Sequence, residues 1–386
     1  MRSLKIILPA LILCLLLSEI GISQEVYFGK NKVRYRDFDW KYIQTPNFDI
    51  YFYEEQVELA EFAAQELERA YKVIAEQLRY WPRSRIPVFL YNAPNEFQQT
   101  NIIPNILTEG VGGFTEAFKN RMVFPFNGAY EDFRHVAHHE LTHAFTYDLL
   151  YGGAIGSVLS RQYIFQQPLW NAEGFAEYSS RYGWDVEADM IMRDATINDY
   201  ILPLDYISGY LAYKQGQLII NYIADKYGEE KISELLFKAK SMLSMGKSMK
   251  KTLGLSYEEF DEDFAKYCRR LYWNELSKRK EAEELAKRLS DHEKDGSYFN
   301  EKPVFAPTGD KLAIFTDKAG YTEIVIISTV DGEVLDELVK SSRSADLESL
   351  HSYVPGMSFS PHVTKRVFNG KSQGEDALWI YNVREK

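Results

Sequence analysis

His139-Glu140-Leu141-Thr142-His143 is the stretch of this 386-residue sequence that decides its interpretation. It lies in a segment with helical spacing, and residues four apart in a helix project from the same face, so His139 and His143 can share one metal ion. Glu140, next to the first histidine, is placed to activate a water molecule at the metal rather than to bind the metal. The alternative interpretation is a helix with a polar, histidine-rich face.

A second segment, Leu169-Trp170-Asn171-Ala172-Glu173-Gly174-Phe175-Ala176-Glu177-Tyr178, favours the metal site. A helix that carries Glu173 can supply a third ligand, which gives two histidines, one carboxylate and an open position for water. Glu177 lies one helical turn further on and faces the same way. It is suited to the second coordination shell, where it would accept a hydrogen bond from the other ring nitrogen of a ligand histidine.

Together the two segments resemble the gluzincins, the superfamily of zinc peptidases that contains thermolysin and aminopeptidase N. In that superfamily a Trp-x-x-Glu-Gly-x-Ala-type segment carries the third zinc ligand, and the matching residues here are Trp170, Glu173, Gly174 and Ala176. The resemblance implies an α+β fold, with a gluzincin-type metallopeptidase domain of a small mixed sheet plus helices over residues 24–290. It also implies zinc as the cofactor and peptides or proteins as substrates.

The segment Tyr213-Lys214-Gln215-Gly216 resembles the Tyr-Glu-Lys-Gly segment of the aminopeptidases. In them the tyrosine hydrogen-bonds the tetrahedral intermediate, so the resemblance implies that Tyr213 stabilises the oxyanion. Tyr210, one turn earlier, is the alternative for this role. A plain surface tyrosine is the other interpretation.

Gly112 and Gly113 precede the histidine-rich helix at the place where gluzincins carry an edge strand that pairs with the substrate backbone. Glycines permit the close approach of another chain, which predicts a substrate-binding role. The alternative is that the pair only marks a β-bulge.

His135 and His138 lie beside the metal-binding motif but have no motif partner of their own. Because a catalytic zinc site is filled by three protein ligands and a water molecule, we interpret both as second-shell or surface residues.

The order of the predicted elements indicates an α+β domain, because strands come first and helices dominate afterwards. The predicted strands are 47–53 and 85–91 and a hairpin of 111–115 and 121–126. The predicted helices are 54–79, 130–150, 169–181, 210–227, 231–240 and 257–289, and Ser256 with Glu259 forms a capping-box signal for the last of them.

Residues 291–386 change in character to short β-rich runs, in which a pattern recurs after about 50 residues. Phe305-Ala306-Pro307 leads into the first set of runs and Phe359-Ser360-Pro361 into the second. The pattern resembles the TolB-like β-propeller repeat, which implies an apparently incomplete propeller that engages a protein partner. Two repeats alone would be only marginally stable, because each repeat buries its apolar faces against its neighbours. We therefore expect either that this sequence is a piece of a longer protein, which we favour, or that residues 291–386 dock on the peptidase domain.

The N-terminus predicts export. Arg2 and Lys5 precede an apolar run over 6–17 and small residues up to Ser23, which indicates a signal peptide over 1–23 and a periplasmic or secreted protein of the cell envelope. A membrane anchor is the alternative, but the run is short for a span of about 20 apolar residues.

No later segment is long and apolar enough to cross a membrane. After cleavage Cys268 is the sole cysteine, so no internal disulfide can form.

The net charge of −11 argues against nucleic acid as a partner, because a polyanion would be repelled.

The motifs and the N-terminus leave three hypotheses for the function. The first is an exported zinc peptidase. The second is an envelope binding or scaffold protein whose propeller engages partners and whose peptidase domain is inactive or structural. A third is a zinc hydrolase of another bond type, since a fold alone does not determine the substrate.

Overall fold

The structure, a computed structural model, describes residue 32 and residues 36–53, 56–108, 110–152, 165–276, 278–280, 282–340, 347–351, 356–372 and 375–382. The predicted signal peptide, residues 1–23, lies outside the described residues. Within the described part of the chain, no helix has the length and apolar character that a membrane span needs.

The chain has an α+β architecture with three separate sheets, none of which closes on itself within the described residues. The strands are β1 Trp40–Gln44, β2 Phe48–Tyr53, β3 Ile86–Tyr91, β4 Phe114–Glu116, β5 Arg121–Pro125, β6 Asn300–Phe305, β7 Lys311–Thr316, β8 Glu323–Ser328, β9 Val334–Lys340, β10 Ser349–Leu350, β11 Met357–Phe359, β12 Lys365–Ser372 and β13 Glu375–Asn382. The helices are α1 Val57–Leu78, α2 Pro94–Phe97, α3 Tyr130–Tyr151, α4 Leu169–Ser180, α5 Val186–Ile197, α6 Tyr210–Tyr227, α7 Glu230–Met242, α8 Met245–Leu253, α9 Tyr257–Leu276, α10 Ala282–Leu285 and α11 His292–Asp295. The α+β prediction is confirmed.

The first sheet has five strands in the order β1-β2-β3-β5-β4. The three central strands are parallel, and β1 and β4 run antiparallel at the two edges. Alternate residues of β2 (Phe48, Ile50 and Phe52) are buried in the main core with apolar residues of α1 and α3, as the strand period of two requires. The predicted β4–β5 hairpin is present, and Asn120 in its turn adopts the left-handed conformation that asparagine tolerates.

The helices that follow the sheet pack unusually closely where α4 meets α6. A Cβ atom built on Gly174 would lie 2.3 Å from the carbonyl carbon of Gly216, and one built on Gly216 would lie 2.5 Å from the carbonyl oxygen of Trp170. Any side chain at either position would therefore collide with backbone. The two glycines of the sequence motifs thus let the helix that carries Glu173 cross directly against the helix that carries Tyr213.

Three features of the helical region differ from the sequence prediction: the end of one helix, and the helices α5 and α8, which are longer than one turn and are not predicted. The helix predicted over 257–289 ends at Leu276, and the short helix α10 follows it. Helix α5 was not predicted, although Asp185 caps it by accepting hydrogen bonds from the amides of Glu187 and Ala188, a signal that the sequence carries. The capping box of α9 is confirmed, because the Ser256 amide donates to Glu259 at 2.7 Å and the Glu259 amide donates to the Ser256 hydroxyl at 3.3 Å.

The β-rich region forms two four-stranded sheets rather than a closed ring within the described residues. In the first, β6 to β9 pair in sequence as antiparallel neighbours, and in the second, β12 lies between β13 on one side and β10 and β11 on the other. One apolar cluster joins the two sheets, with Phe315 and Ile326 from the first and Phe368 from the second. A propeller, and a domain boundary at residue 290, stay predictions.

The repeated sequence pattern corresponds to a repeated turn. Between β6 and β7 the Ala306 amide donates to the carbonyl of Lys311, and between β11 and β12 the Ser360 amide donates to the carbonyl of Lys365, each at 2.9 Å. The same inner residue is left-handed in both turns, as Gly309 in the first and Val363 in the second. A β-branched residue in this conformation is strained, so the second turn departs from the pattern at a cost.

Candidate metal centre

Helix α3 carries most of the candidate centre. Its first turn contains Glu131 and Asp132, whose negative charges are favourable at a helix N-terminus. Leu141 and Phe145 are fully buried in the main core and fix one face of the helix, while His139 and His143 face α4. Both predicted histidine ligands are themselves nearly buried, so the centre is a part of the core and not a surface feature.

Three predicted ligands converge on one point. The Nε2 atoms of His139 and His143 lie 3.2 Å apart, and each lies 3.2 Å from Oε2 of Glu173 on α4. Ligands at about 2.0–2.1 Å from a tetrahedral zinc ion lie about 3.3 Å from one another, so the triangle has the size of one face of such a site. The structure therefore brings together the residues that the sequence proposed as ligands.

The chemistry of this donor set fits a cation. His139 Nδ1 lies 3.0 Å from Glu177 Oε1, so Nδ1 carries a proton and Nε2 is the nitrogen that could offer a lone pair to a metal ion. Two imidazole lone pairs and a carboxylate oxygen at such short separations repel one another unless a positive charge lies between them. Two histidines and one carboxylate form one of the known ligand sets of catalytic zinc. The Nδ1 atom of His143 is buried without a hydrogen-bond partner in the described structure.

The electrostatics of the cluster favour positive charge. Burial alone would lower the pKa of His139, but hydrogen bonds with Glu173 and Glu177 outweigh it and raise that pKa to about 10. Burial alone would raise the pKa of Glu173, but the charges and hydrogen bonds of His143 and His139 hold it well below its usual range. A proton and a metal ion therefore compete for the same ring nitrogen, and metal binding should release a proton.

Glu140 lies beside the ligands and is held by a residue that the sequence did not indicate. A carboxylate oxygen of Glu140 lies within 4.8 Å of ring nitrogens of both His139 and His143. The hydroxyl of Thr115, on edge strand β4, lies 2.8 Å from Glu140 Oε2 and 2.8 Å from its main-chain oxygen, and its one proton serves these two acceptors. Among the hydrogen bonds of the described residues, Thr115 holds Oε2 of Glu140, and none is found to the other carboxylate oxygen.

Tyr213 lies at the centre, and Tyr210 does not. The Tyr213 ring is nearly parallel to that of His139, with 5.8 Å between their centroids. Burial and then the carboxylates of Glu173 and Glu140 raise the pKa of Tyr213, so its hydroxyl stays protonated and able to donate. Tyr210 is half exposed, and its hydroxyl donates to Glu187 at 2.5 Å. The geometry favours Tyr213 over its alternative.

A second tyrosine flanks the centre and was missed in the sequence. The ring of Tyr147 is nearly parallel to that of His143, with 5.9 Å between their centroids. Burial and then the nearby carboxylates of Glu140 and Glu173 raise its pKa. Its position four residues after His143, on the same helical face, was the available signal.

The two predicted substrate-binding glycines pack against the protein itself. They precede β4, which pairs with β5 in continuous register, so no bulge is present among the paired residues. A Cβ atom on Gly113 would lie 2.9 Å from the Phe124 ring and 3.1 Å from a methyl group of Val136, and one on Gly112 would lie 3.4 Å from Val136. This close packing gives one reason for glycine here, and substrate binding by the edge strand stays a prediction.

The two remaining histidines of α3 are not ligands of the converging set. His135 Nε2 lies 3.3 Å from Glu177 Oε1, the oxygen that also lies 3.0 Å from Nδ1 of His139. His138 is buried and its Nε2 donates to the hydroxyl of Ser179 at 3.0 Å, which in turn donates to Gln77 at 2.6 Å. His138 therefore ties α3 to α4 and α1 in its neutral form.

Replacing His138 with Gln should weaken the dependence of stability on acid pH. Burial and then the charges of His135 and His139 lower the pKa of His138 to about 3. As the pH falls below 6.5, this histidine therefore becomes protonated in the unfolded chain but stays neutral in the folded chain. The free energy of unfolding should fall by about 2–3 kcal/mol from this group as pH falls from 6.5 to 4.5. His138→Gln keeps a donor to Ser179 and should lose that contribution.

Urea denaturation of both proteins at the two pH values, with a chelator present, measures the difference. An equal pH dependence in the wild type and in His138→Gln would contradict the assignment.

No family model and no curated protein matches the sequence. Among solved structures, the chain is similar to an M1 zinc metallopeptidase from Deinococcus radiodurans, with 16% identity and a TM-score of 0.31. The match covers 60% of this chain and spans only half (50%) of that chain. A likeness at this score does not establish a shared fold.

Proposed function

We propose that this chain is an exported zinc-dependent peptidase of the gluzincin kind. His139, His143 and Glu173 would hold the metal, and Glu140 would act as the base. The observation that carries the proposal is the triangle of two imidazole nitrogens and one carboxylate oxygen, each 3.2 Å from the others in a buried place. Export rests on the signal-like sequence of residues 1–23.

The metal would polarise the scissile carbonyl and lower the pKa of the attacking water to about 7. Glu140 takes the water proton on the carboxylate oxygen that Thr115 leaves free, because Thr115 holds Oε2. The water oxygen bonds to the carbonyl carbon, the carbon–nitrogen bond then breaks, and Glu140 passes the proton to the leaving amine. One water molecule is consumed, and a carboxylic acid and an amine are formed.

Tyr213 is the residue proposed to stabilise charge on the carbonyl oxygen. Its ring lies against the His139 ring, and its raised pKa keeps the hydroxyl as a donor at neutral pH. A donor fixed before the reaction costs no reorganisation when the oxyanion forms. Glu177 holds the His139 ring by accepting the Nδ1 proton.

Elemental analysis and a peptide-library assay of the full exported chain test the proposal. We expect a single zinc ion per chain, hydrolysis of peptides within the library, loss of hydrolysis with a chelator and recovery on adding zinc. A protein that neither contains nor binds zinc would overturn the metal site. A protein that binds zinc but hydrolyses no peptide would overturn the peptidase and favour the binding or scaffold hypothesis.

A further inference from the structure

Lys214 is a buried charge that the proposed reaction does not use. It follows Tyr213 on α6, and only 4% of its side chain is exposed. Its Nζ lies 2.9 Å from Glu177 Oε2 and 3.4 Å from Glu187 Oε2 on α5. Lysine is almost never buried to this degree without a partner, so these carboxylates account for its position.

Glu177 divides its two carboxylate oxygens between different neighbours. Oε1 lies 3.0 Å from His139 Nδ1 and 3.3 Å from His135 Nε2, whereas Oε2 lies 2.9 Å from Lys214. A carboxylate can otherwise turn about its last bond and exchange its oxygens. The ammonium group on Oε2 fixes that rotation and leaves Oε1 directed at His139.

The orientation of the His139 ring depends on this arrangement. Its Nδ1–H is held by Glu177, and this places Nε2 at 3.2 Å from both His143 Nε2 and Glu173 Oε2. With a cation at Nε2 the imidazole itself is neutral, so it brings no full charge to Glu177. Lys214 supplies that charge to a carboxylate whose side chain is only 5% exposed.

We propose that Lys214 is a positioning residue that acts through Glu177 on His139 and so sets the affinity of the centre for its metal. The inference rests on the proposed metal site but concerns a residue outside it. It gives α6, which already carries Tyr213, a second link to the centre, and it connects the centre through Glu187 to the exposed N-terminal turn of α5.

Metal affinity of Lys214→Met, measured by competition with a chelator, tests the proposal. We expect about a 10-fold loss, against about 10- to 100-fold for Glu177→Gln, in line with other residues that orient metal ligands. The double variant should bind metal no more weakly than Glu177→Gln alone, because Lys214 acts through Glu177. Lys214→Arg keeps the charge and should retain most of the affinity.

Lys226→Met is the matched control, since Lys226 lies on the same helix and pairs with Asp263 away from the centre. It should bind metal as the wild type does. The inference would be overturned if Lys214→Met bound metal as tightly as the wild type, whether or not its melting temperature fell. It would also be overturned if the loss of metal affinity in the double variant were the sum of the losses in Lys214→Met and Glu177→Gln. If Lys214→Met does not fold, Lys214→Gln is measured in the same way.

Failure of this inference differs from failure of the proposed function. A wild-type protein with no affinity for zinc overturns both. A wild type that binds zinc, with a Lys214→Met variant that binds it equally well, overturns only the role of Lys214.

Discussion

Glu140→Gln is expected to lower kcat for peptide hydrolysis by about 10²–10⁴-fold, the usual contribution of a general base, while the protein still binds zinc. Glutamine keeps the shape and can still accept a hydrogen bond from Thr115, which holds Glu140 at 2.8 Å. It cannot accept the water proton. Because the three converging ligand atoms belong to other residues, the metal content should not change.

Glu131→Gln is the matched control for this experiment. Glu131 lies on the same helix, its side chain is 87% exposed, and its carboxylate pairs with Arg134 at the surface. The same substitution there should leave both hydrolysis and zinc content as in the wild type. If Glu140→Gln hydrolyses peptides at the wild-type rate, Glu140 is not the base.

Gly174→Ala is expected to lower the free energy of unfolding by about 3 kcal/mol or more, at the upper end of the cost of overpacking. The added Cβ would lie 2.3 Å from a backbone carbon of Gly216, a contact that no side-chain rotation relieves. The helices α4 and α6 must separate, which displaces Glu173 from the paired imidazoles. Zinc affinity should therefore fall as well, and urea denaturation and chelator competition measure the two effects.

Gly246→Ala supplies the control, because Gly246 is also a helical glycine. A Cβ atom there would meet the Tyr257 ring at 3.7 Å, an ordinary van der Waals contact. Alanine is the better helix former, so this variant should be more stable by about 0.5–1 kcal/mol. Equal stability of Gly174→Ala and the wild type would contradict the close crossing.

Much of the centre could be predicted from sequence because its chemistry follows helical periodicity. His139 and His143 are one turn apart, as are Glu173 and Glu177, so each pair shares a face whatever the rest of the fold does. From the sequence alone, Gly174 and Gly216 are only parts of the motifs that carry a resemblance. The structure supplies their physical reason, which is the closeness of the two helices.

The residues that escaped prediction act across elements. Thr115 reaches Glu140 from an edge strand, and Lys214 reaches Glu177 from another helix. Such contacts depend on how helices and sheets pack, which local periodicity does not encode. Tyr147 is different, because its spacing of four residues from His143 can be read in the sequence. That spacing alone does not show that the two rings lie beside a metal centre.

In the β-rich region, too, local features could be predicted from the sequence and contacts between larger units could not. The turn before β7 and the turn before β12 follow from their Pro-containing sequences, and their hydrogen bonds repeat as the pattern predicts. Pairing of neighbouring strands is likewise a local matter. The apolar cluster that joins the two sheets depends on contacts between whole units, which the pattern within one unit does not encode.

The close crossing of α4 and α6 also affects how the candidate centre fluctuates and how fast a bound ion would exchange. The proposed ligands, the base and Tyr213 all lie on α3, α4 and α6, and residues of these helices, such as Leu141, Phe175 and Leu218, belong to a single apolar core. None of the three proposed ligands lies on a surface loop, because His139, His143 and Glu173 are all helical residues. Local fluctuations at the centre are therefore tied to opening of the core, and a captured ion should exchange slowly, on the timescale of that opening.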